Sequence, residues 1–245
     1  MHTIATAFRD KAWATNRVKS TKNLTVADDL LYQRHMFAYR YAAITGHGDC
    51  LDIGCGFREG WENFERHGAI ATVRGLDAEP KMAGDLVTCG DATDGMTFEA
   101  ESFDTITAFQ IVEHMKVPEN LFRNIHKWLR PGGVAYVTTP NAAYRMIGRT
   151  VPFNKNHTQE FTAESFTNCL NGYGRRWSKV VLGGVTASPE VCGVEYRRIE
   201  GGVIRRGLRK VKDMIWRGDA IEGDFYFKPA LVDVRALDLM LVLHK

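Results

Sequence analysis

After Pro118, the apolar residues Leu121, Phe122, Ile125, Trp128 and Leu129 recur at helical spacing, and Pro131-Gly132-Gly133 stops the run. That pattern predicts an amphipathic helix. A looser helical period runs through ADDLLYQRHMFAYRYAAIT at 27–45, with Leu30, Leu31, Met36, Phe37 and Tyr41 on one side and Gly46-His47-Gly48 ending it. Shorter helices are expected from about Glu59 to His67, closed by Gly68, and around Ala163–Leu170. Between them lie apolar runs of strand length: Cys50–Ile53, Ala71–Asp77, Asp85–Cys89, Phe103–Phe109, Val134–Thr139, Lys179–Val185 and Ala236–Leu243. Only Glu79–Gly84 separates the second run from the third, so that crossover is unusually short. Strands alternating with helices read as a doubly wound, parallel α/β sheet. Ligands of such sheets bind at the carboxyl ends of the strands. Gly54-Cys55-Gly56, Asp77, Asp91 and Gln110 stand at those ends and are expected to meet in one crevice.

Composition narrows the class. A chain of 245 residues with 44% apolar and 25% charged content suits one large globular domain. Its longest apolar runs fall short of a membrane span. The opening MHTIATAFRDKAWATNRVKS has no apolar h-region, so no secretory signal is expected. The five cysteines are odd in number and form no C-x-x-C pair, which argues against a disulfide framework or zinc ribbon and for the cytoplasm. A net charge of +3 is too mild to argue for nucleic acid.

The stretch CLDIGCGFREG at 50–60 reads as strand, tight turn and helix, a turn suited to a nucleotide-like ligand. Its glycines are spaced G-x-G-x-x-x-G, not the dinucleotide G-x-G-x-x-G, and no Gly-Lys-Ser or Gly-Lys-Thr completes a P-loop. Asp77 lies where an acid can accept both ribose hydroxyls. Asp91 is placed to accept from an adenine amino group. Asp52, beside the turn, would repel a pyrophosphate and tolerate a sulfonium. Singly, the glycines are an ordinary turn and the acids solvated. Jointly, they turn the expectation from NAD to S-adenosylmethionine.

The chain resembles the class I S-adenosylmethionine-dependent methyltransferases, in the broad group acting on small molecules and glycans. The pieces that carry the resemblance are LDIGCG at 51–56, GLDAEP at 75–80, GDA at 90–92, SFDTITAFQIVEHM at 102–115, WLRPGG at 128–133 and TTPN at 138–141. A weaker piece, HTQEFTAESF at 157–166, extends it. The resemblance implies a mostly parallel, Rossmann-like sheet of seven strands whose last strand, Ala236–Leu243, is antiparallel. It implies an N-terminal helical cap over 1–45 and a methyltransferase domain over 46–245, with an insertion at about 187–234. It also implies that Gly54, Cys55, Gly56, Asp77, Ala78, Asp91 and Ala92 hold the cofactor, with Asp52 beside them and Gln110 and Ile111 passing under it. One departure stands out: the family often has glycine where this chain has Arg58.

Methyl transfer is an in-line displacement at an activated carbon, so the enzyme must align the nucleophile and take its proton. His114, preceded by Glu113, and His157 border the expected methyl position, with His157 as the base and His114 or Glu113 in support. The pattern Gln110-x-x-Glu113-His114 with a later His157 also resembles the metal site of RNA 2′-O-methyltransferases that modify small-RNA 3′ ends. There an acid stands where this chain has Gln110, so a divalent metal ranks below a plain base. Arg34, His35, Tyr39 and Arg40 on the N-terminal helix are expected on a half-exposed face. Within the insertion, GGVIRRGLRKVKDMIWRG reads as a basic amphipathic helix. It suits a lid, with contact to an anionic membrane as a lesser route. The expected activity is methylation of a hydroxyl, or less readily an amine, on a small molecule or sugar. An RNA-directed enzyme and a non-catalytic module that binds a membrane or partner remain as alternatives.

Overall fold

The computed structural model describes residues 30–146, 151–152, 154–171, 174–187, 225–233 and 236–245. The expected basic helix lies outside them. Helix α1 (Leu30–Thr45) leads into β1 (Gly48–Ile53), α2 (Trp61–His67), β2 (Ile70–Asp77) and β3 (Val87–Cys89). Then follow β4 (Phe103–Phe109), α3 (Pro118–Trp128), β5 (Leu129–Pro140), the single turn α4 (Ala142–Arg145) and α5 (Ala163–Asn168). Strands β6 (Lys179–Ala187), β7 (Phe225–Pro229) and β8 (Asp238–His244) complete the sheet.

The eight strands lie in the order β3-β2-β1-β4-β5-β8-β6-β7. Strands β1 to β5 are parallel, and β8 runs antiparallel to both β5 and β6. The expected antiparallel last strand is therefore present, but inside the sheet. The extra strand is β7, paired antiparallel to β6 at the edge. It falls in the stretch expected to be an insertion, where no apolar run of strand length marks it.

Alternation along each central strand feeds two buried layers. Cys50, Val134, Tyr136, Met240 and Val242 face α1 and α2, joining Phe37, Tyr39 and Phe64. Leu51, Ile53, Ala135, Val137, Leu239, Leu241 and Leu243 face α3 and α5, joining Leu121, Phe122, Ile125, Trp128 and Phe166. The α3 stripe is fully buried, as its period implied. The helix ends at Trp128, three residues before the expected proline stop, because Leu129 takes extended backbone (φ −68°, ψ 139°) and starts β5.

Helix α1 departs from its expected one-sided pattern. Met36, Phe37, Ala38 and Tyr39 are buried in succession, and Arg34 is 4% exposed, paired with Asp238 of β8. A helix wrapped by neighbours on several sides loses the amphipathic signature. Cys50, Cys55, Cys89 and Cys169 are free thiols. No described helix is long and apolar enough to cross a membrane.

Register fixes where the site is. Ile53 lies level with Leu76 and with Ala108, Asp77 with Cys89, and Phe109 with Thr138. The residues that follow these positions therefore gather along one edge of the sheet.

Candidate active site

The turn after β1 is set by backbone geometry. Gly54 (φ 72°) and Gly56 (φ 50°) are both left-handed, the region that glycine enters most readily. The Gly54 amide donates to the Leu76 carbonyl at 2.7 Å. A Cβ on Gly54 would lie 2.3 Å from Ile111 Cγ2, so β4's exit loop packs against bare backbone. A Cβ on Gly56 would meet nothing within 4 Å, so that glycine faces open space. Arg58 also has φ 62°, which explains why glycine suits the position; its guanidinium lies 5.5 Å from the Trp61 ring centroid. Gly60 answers to packing instead: a Cβ there would lie 2.3 Å from ring atoms of Tyr39.

Asp52 sits behind this turn rather than in front of it. It is 0% exposed. Its Oδ2 accepts from Tyr39 Oη at 3.0 Å and Trp61 Nε1 at 2.8 Å, and its Oδ1 accepts from Thr107 Oγ1 at 2.8 Å. Burial nevertheless dominates, pushing its pKa up to about 6 against the pull of the three donors. The expectation that Asp52 faces a sulfonium is corrected: its oxygens are spent bracing α1, α2 and β4 against the turn. The half-exposed face expected for Arg34 and Tyr39 is corrected too, since both are buried. Cys55 is buried, and burial raises its thiol pKa to about 12.

Of the strand-end acids, Asp77 lies beside the glycines. Asp77 Oδ2 accepts the Gly56 amide at 2.9 Å, and its Oδ1 accepts the Glu79 amide at 2.9 Å. The second acid is thus tied to the turn itself. Asp91 is exposed, with Oδ1 accepting the Thr93 amide and hydroxyl at 2.8 Å. Ala78 is exposed, while Ala92 is buried and its carbonyl accepts from Asn124 Nδ2. Gln110 carries left-handed backbone (φ 57°) as the chain leaves β4. Its side chain donates to Thr138 Oγ1 at 3.2 Å, toward β5.

Beyond Ile111 a turn of 3-10 helix, Val112–His114, meets the segment after β5. The two are stitched together. The Thr158 amide and hydroxyl both donate to the Glu113 carbonyl, at 2.9 and 3.0 Å, and Gln159 Nε2 donates to the Met115 carbonyl at 3.1 Å. This sets the His114 and His157 rings 4.8 Å apart, edge to face. His114 Nδ1 lies 3.0 Å from the Asn156 carbonyl, and His157 Nδ1 lies 2.7 Å from Glu160 Oε1. Glu113 is 1% exposed, accepts from Thr139 Oγ1 at 3.1 Å, and is pushed by burial to a pKa of about 8. Burial also lowers the pKa of His114. Sequence reasoning missed Glu160; the His-x-x-Glu spacing in HTQEF was the available signal. It also missed Tyr39, Trp61 and Thr107 as partners of Asp52, which no spacing could reveal.

At the far end of this segment Asn141 is 0% exposed, with Nδ2 donating to the Asp233 and Ala236 carbonyls at 2.8 and 2.9 Å. Its side-chain oxygen accepts from the Ala143 amide and caps α4.

A model of the methyltransferase domain matches residues 20–176. The chain belongs to the class I S-adenosylmethionine-dependent methyltransferases. Over 152 residues this chain is 29% identical to a protein of Mycolicibacterium smegmatis named "Probable S-adenosylmethionine-dependent methyltransferase", covering 58% of each chain. Over 121 residues it is 30% identical to the ubiquinone biosynthesis O-methyltransferase of Coxiella burnetii, covering 42% of this chain and 50% of that one. The chain thus spans about half the length of the curated relatives it matches. Among solved structures, a methyltransferase from Archaeoglobus fulgidus aligns with TM-score 0.57 at 18% identity, over 86% of this chain and 94% of the other. The plantazolicin methyltransferase BpumL, solved with S-adenosylhomocysteine, aligns with TM-score 0.53 at 14% identity, over 90% and 87%. These two show the fold alone.

The residues present fit the family's cofactor, S-adenosylmethionine. Gly56 leaves open space before the turn, and two carboxylates follow at the next two strand ends. A carboxylate has about four lone-pair sites, so Asp77 keeps acceptor capacity after taking two backbone amides.

Proposed function

We propose that this methyltransferase transfers the methyl of S-adenosylmethionine to a hydroxyl of a small molecule or sugar. The observation that carries the proposal is the shared edge: the glycine turn, Asp77, Asp91 and the Glu113–His114–His157 group all lie at the carboxyl ends of parallel strands. When bound, the cofactor supplies a methyl on a sulfonium, open to in-line displacement. Gly54 and Gly56 admit it close to the backbone. Asp77 accepts from the ribose and Asp91 from the adenine amine. Cys55, Ala78, Ala92, Gln110 and Ile111 wall the crevice, and Asp52 braces the turn from behind.

The acceptor's proton goes to the histidine group. Because Glu160 accepts from His157 Nδ1, Nε2 of that ring keeps its lone pair and can take a proton. The distant likeness to an O-methyltransferase of Coxiella burnetii supports oxygen over nitrogen. The test pairs two measurements. Calorimetric titration with S-adenosylhomocysteine should show micromolar binding; its absence in folded protein would remove the cofactor assignment. Radiolabelled methyl transfer should then favour phenols and sugar alcohols over the matching amines. Transfer to the amines alone would overturn the choice of oxygen.

A further inference from the structure

The histidine group is built more elaborately than a lone base requires. A backbone carbonyl can only accept, so the contact from His114 Nδ1 to the Asn156 carbonyl makes Nδ1 the protonated nitrogen. The contact from His157 Nδ1 to the Glu160 carboxylate does the same. Both rings are thereby held in the tautomer with a bare Nε2. A base needs one such nitrogen; here two rings stand 4.8 Å apart with the carboxyl of Glu113 beside them. One donor atom from each of Glu113, His114 and His157 lies within 4.8 Å of the other two. Metal-bound histidines commonly donate their second ring N–H to a carboxylate or backbone carbonyl, which orients the ring and raises its basicity. Both histidines have that arrangement. Glu160, its side chain 5% exposed, carries a further sign: its Oε2 is buried and accepts no hydrogen bond from the described residues. A buried carboxylate oxygen left this way is costly unless positive charge builds nearby.

We infer that Glu113, His114 and His157 form a binding site for a divalent transition-metal ion, with Glu160 and the Asn156 carbonyl orienting the two rings. Two imidazoles and a carboxylate suit zinc, cobalt or iron(II) rather than magnesium or calcium. Three protein ligands leave a coordination position for an acceptor's oxygen, as in catalytic zinc sites. Bonds of about 2.1 Å would set the donor atoms roughly 3.4 Å apart, and in the structure they already lie within 4.8 Å of one another. Gln110, which occupies the position of a fourth ligand in the RNA-enzyme pattern, points to Thr138 instead and takes no part. The catalytic consequence rests on the proposed function: an ion here would acidify a bound hydroxyl, which would then release its proton to water, whereas in the metal-free protein that proton goes to His157 Nε2. Binding of the ion does not depend on that reading.

The test uses full-length, tag-free protein stripped with a chelator and titrated with cobalt(II) chloride. Visible d–d absorption reports nitrogen and oxygen ligation, and zinc chloride calorimetry gives the stoichiometry. One saturable equivalent is expected, lost in His114→Ala and in His157→Ala. Glu160→Gln keeps all three ligands and should weaken binding roughly 10–100-fold. S-adenosylhomocysteine titration of each variant shows that it is folded. No saturable cobalt spectrum in the native protein, or an unchanged one in His114→Ala/His157→Ala, would overturn the site. Cobalt binding without S-adenosylhomocysteine binding would leave the metal site standing and remove the cofactor assignment instead.

Discussion

The carboxyl of Asp52 offers a direct measure of what burial costs this fold. Its pKa rises from 3.8 to about 6, although three donors pull the other way. At 1.36 kcal/mol per pH unit, that rise is about 3 kcal/mol. The sign follows from the direction. The folded state holds the proton more tightly than the unfolded chain, so this stabilisation is complete below about pH 4 and is lost as pH rises through 6. Asp52→Asn removes the titration and keeps the contacts. Its Oδ1 can still accept from Tyr39 and Trp61, while its amide donates to Thr107, which turns to accept. The assay is urea unfolding of both proteins at steps from pH 3 to pH 7. The stability of the variant minus that of the native protein should grow by about 3 kcal/mol across that window. Tyr39→Phe, which deletes one donor to the carboxylate, should move the slope to higher pH. A difference that stays flat within about 1 kcal/mol would show that burial does not govern this acid. A difference that falls with pH would show that the three donors win.

Three further outcomes follow from the same geometry. Gly54→Ala places a methyl 2.3 Å from Ile111 at φ 72°; the backbone cost of about 1–2 kcal/mol and the packing cost of about 1–3 should sum to roughly 2–5. Gly54→Ala/Ile111→Ala should recover the packing share alone, and unchanged unfolding midpoints would refute both shares. Gly60→Ala pushes a methyl 2.3 Å from the Tyr39 ring and should cost about 1–3 kcal/mol, with Asp52 losing its phenol partner; an unaltered pH slope would count against that coupling. His157→Ala should lower turnover roughly 10²–10⁴-fold while S-adenosylhomocysteine affinity holds; near-normal turnover removes His157 from the chemistry.

The sequence carried most of the frame. Apolar runs of strand length and the glycines that stop them marked the parallel strands, because run length and helical period are local properties of the chain. The strand-end residues were legible for the same reason: a strand's last residue is where its apolar run stops. What escaped depends on contacts between distant segments. Met36 to Tyr39 look like one stripe and a polar edge until α2, β4 and β7 close over them. Asp52 reads as a site acid until the Tyr39 hydroxyl and Trp61 indole arrive from two helices. Among the described residues strand β7 pairs only with β6, and its five residues carry no alternation strong enough to announce an edge strand. Glu160 stood three residues from His157, yet an i, i+3 pair has meaning only once the backbone there is known to curve.

The segment between Asn141 and Thr158 is anchored at both ends. Asn141 is bonded to carbonyls beside β8, and Thr158 is bonded to the carbonyls of Glu113 and Met115. The separation of His114 and His157 is therefore set at the Thr158 end, where the Asn156 carbonyl accepts from His114 and the Asn154 carbonyl from the His157 amide. Selection for a new acceptor would leave Asn154 to Thr158 untouched and act elsewhere in the molecule.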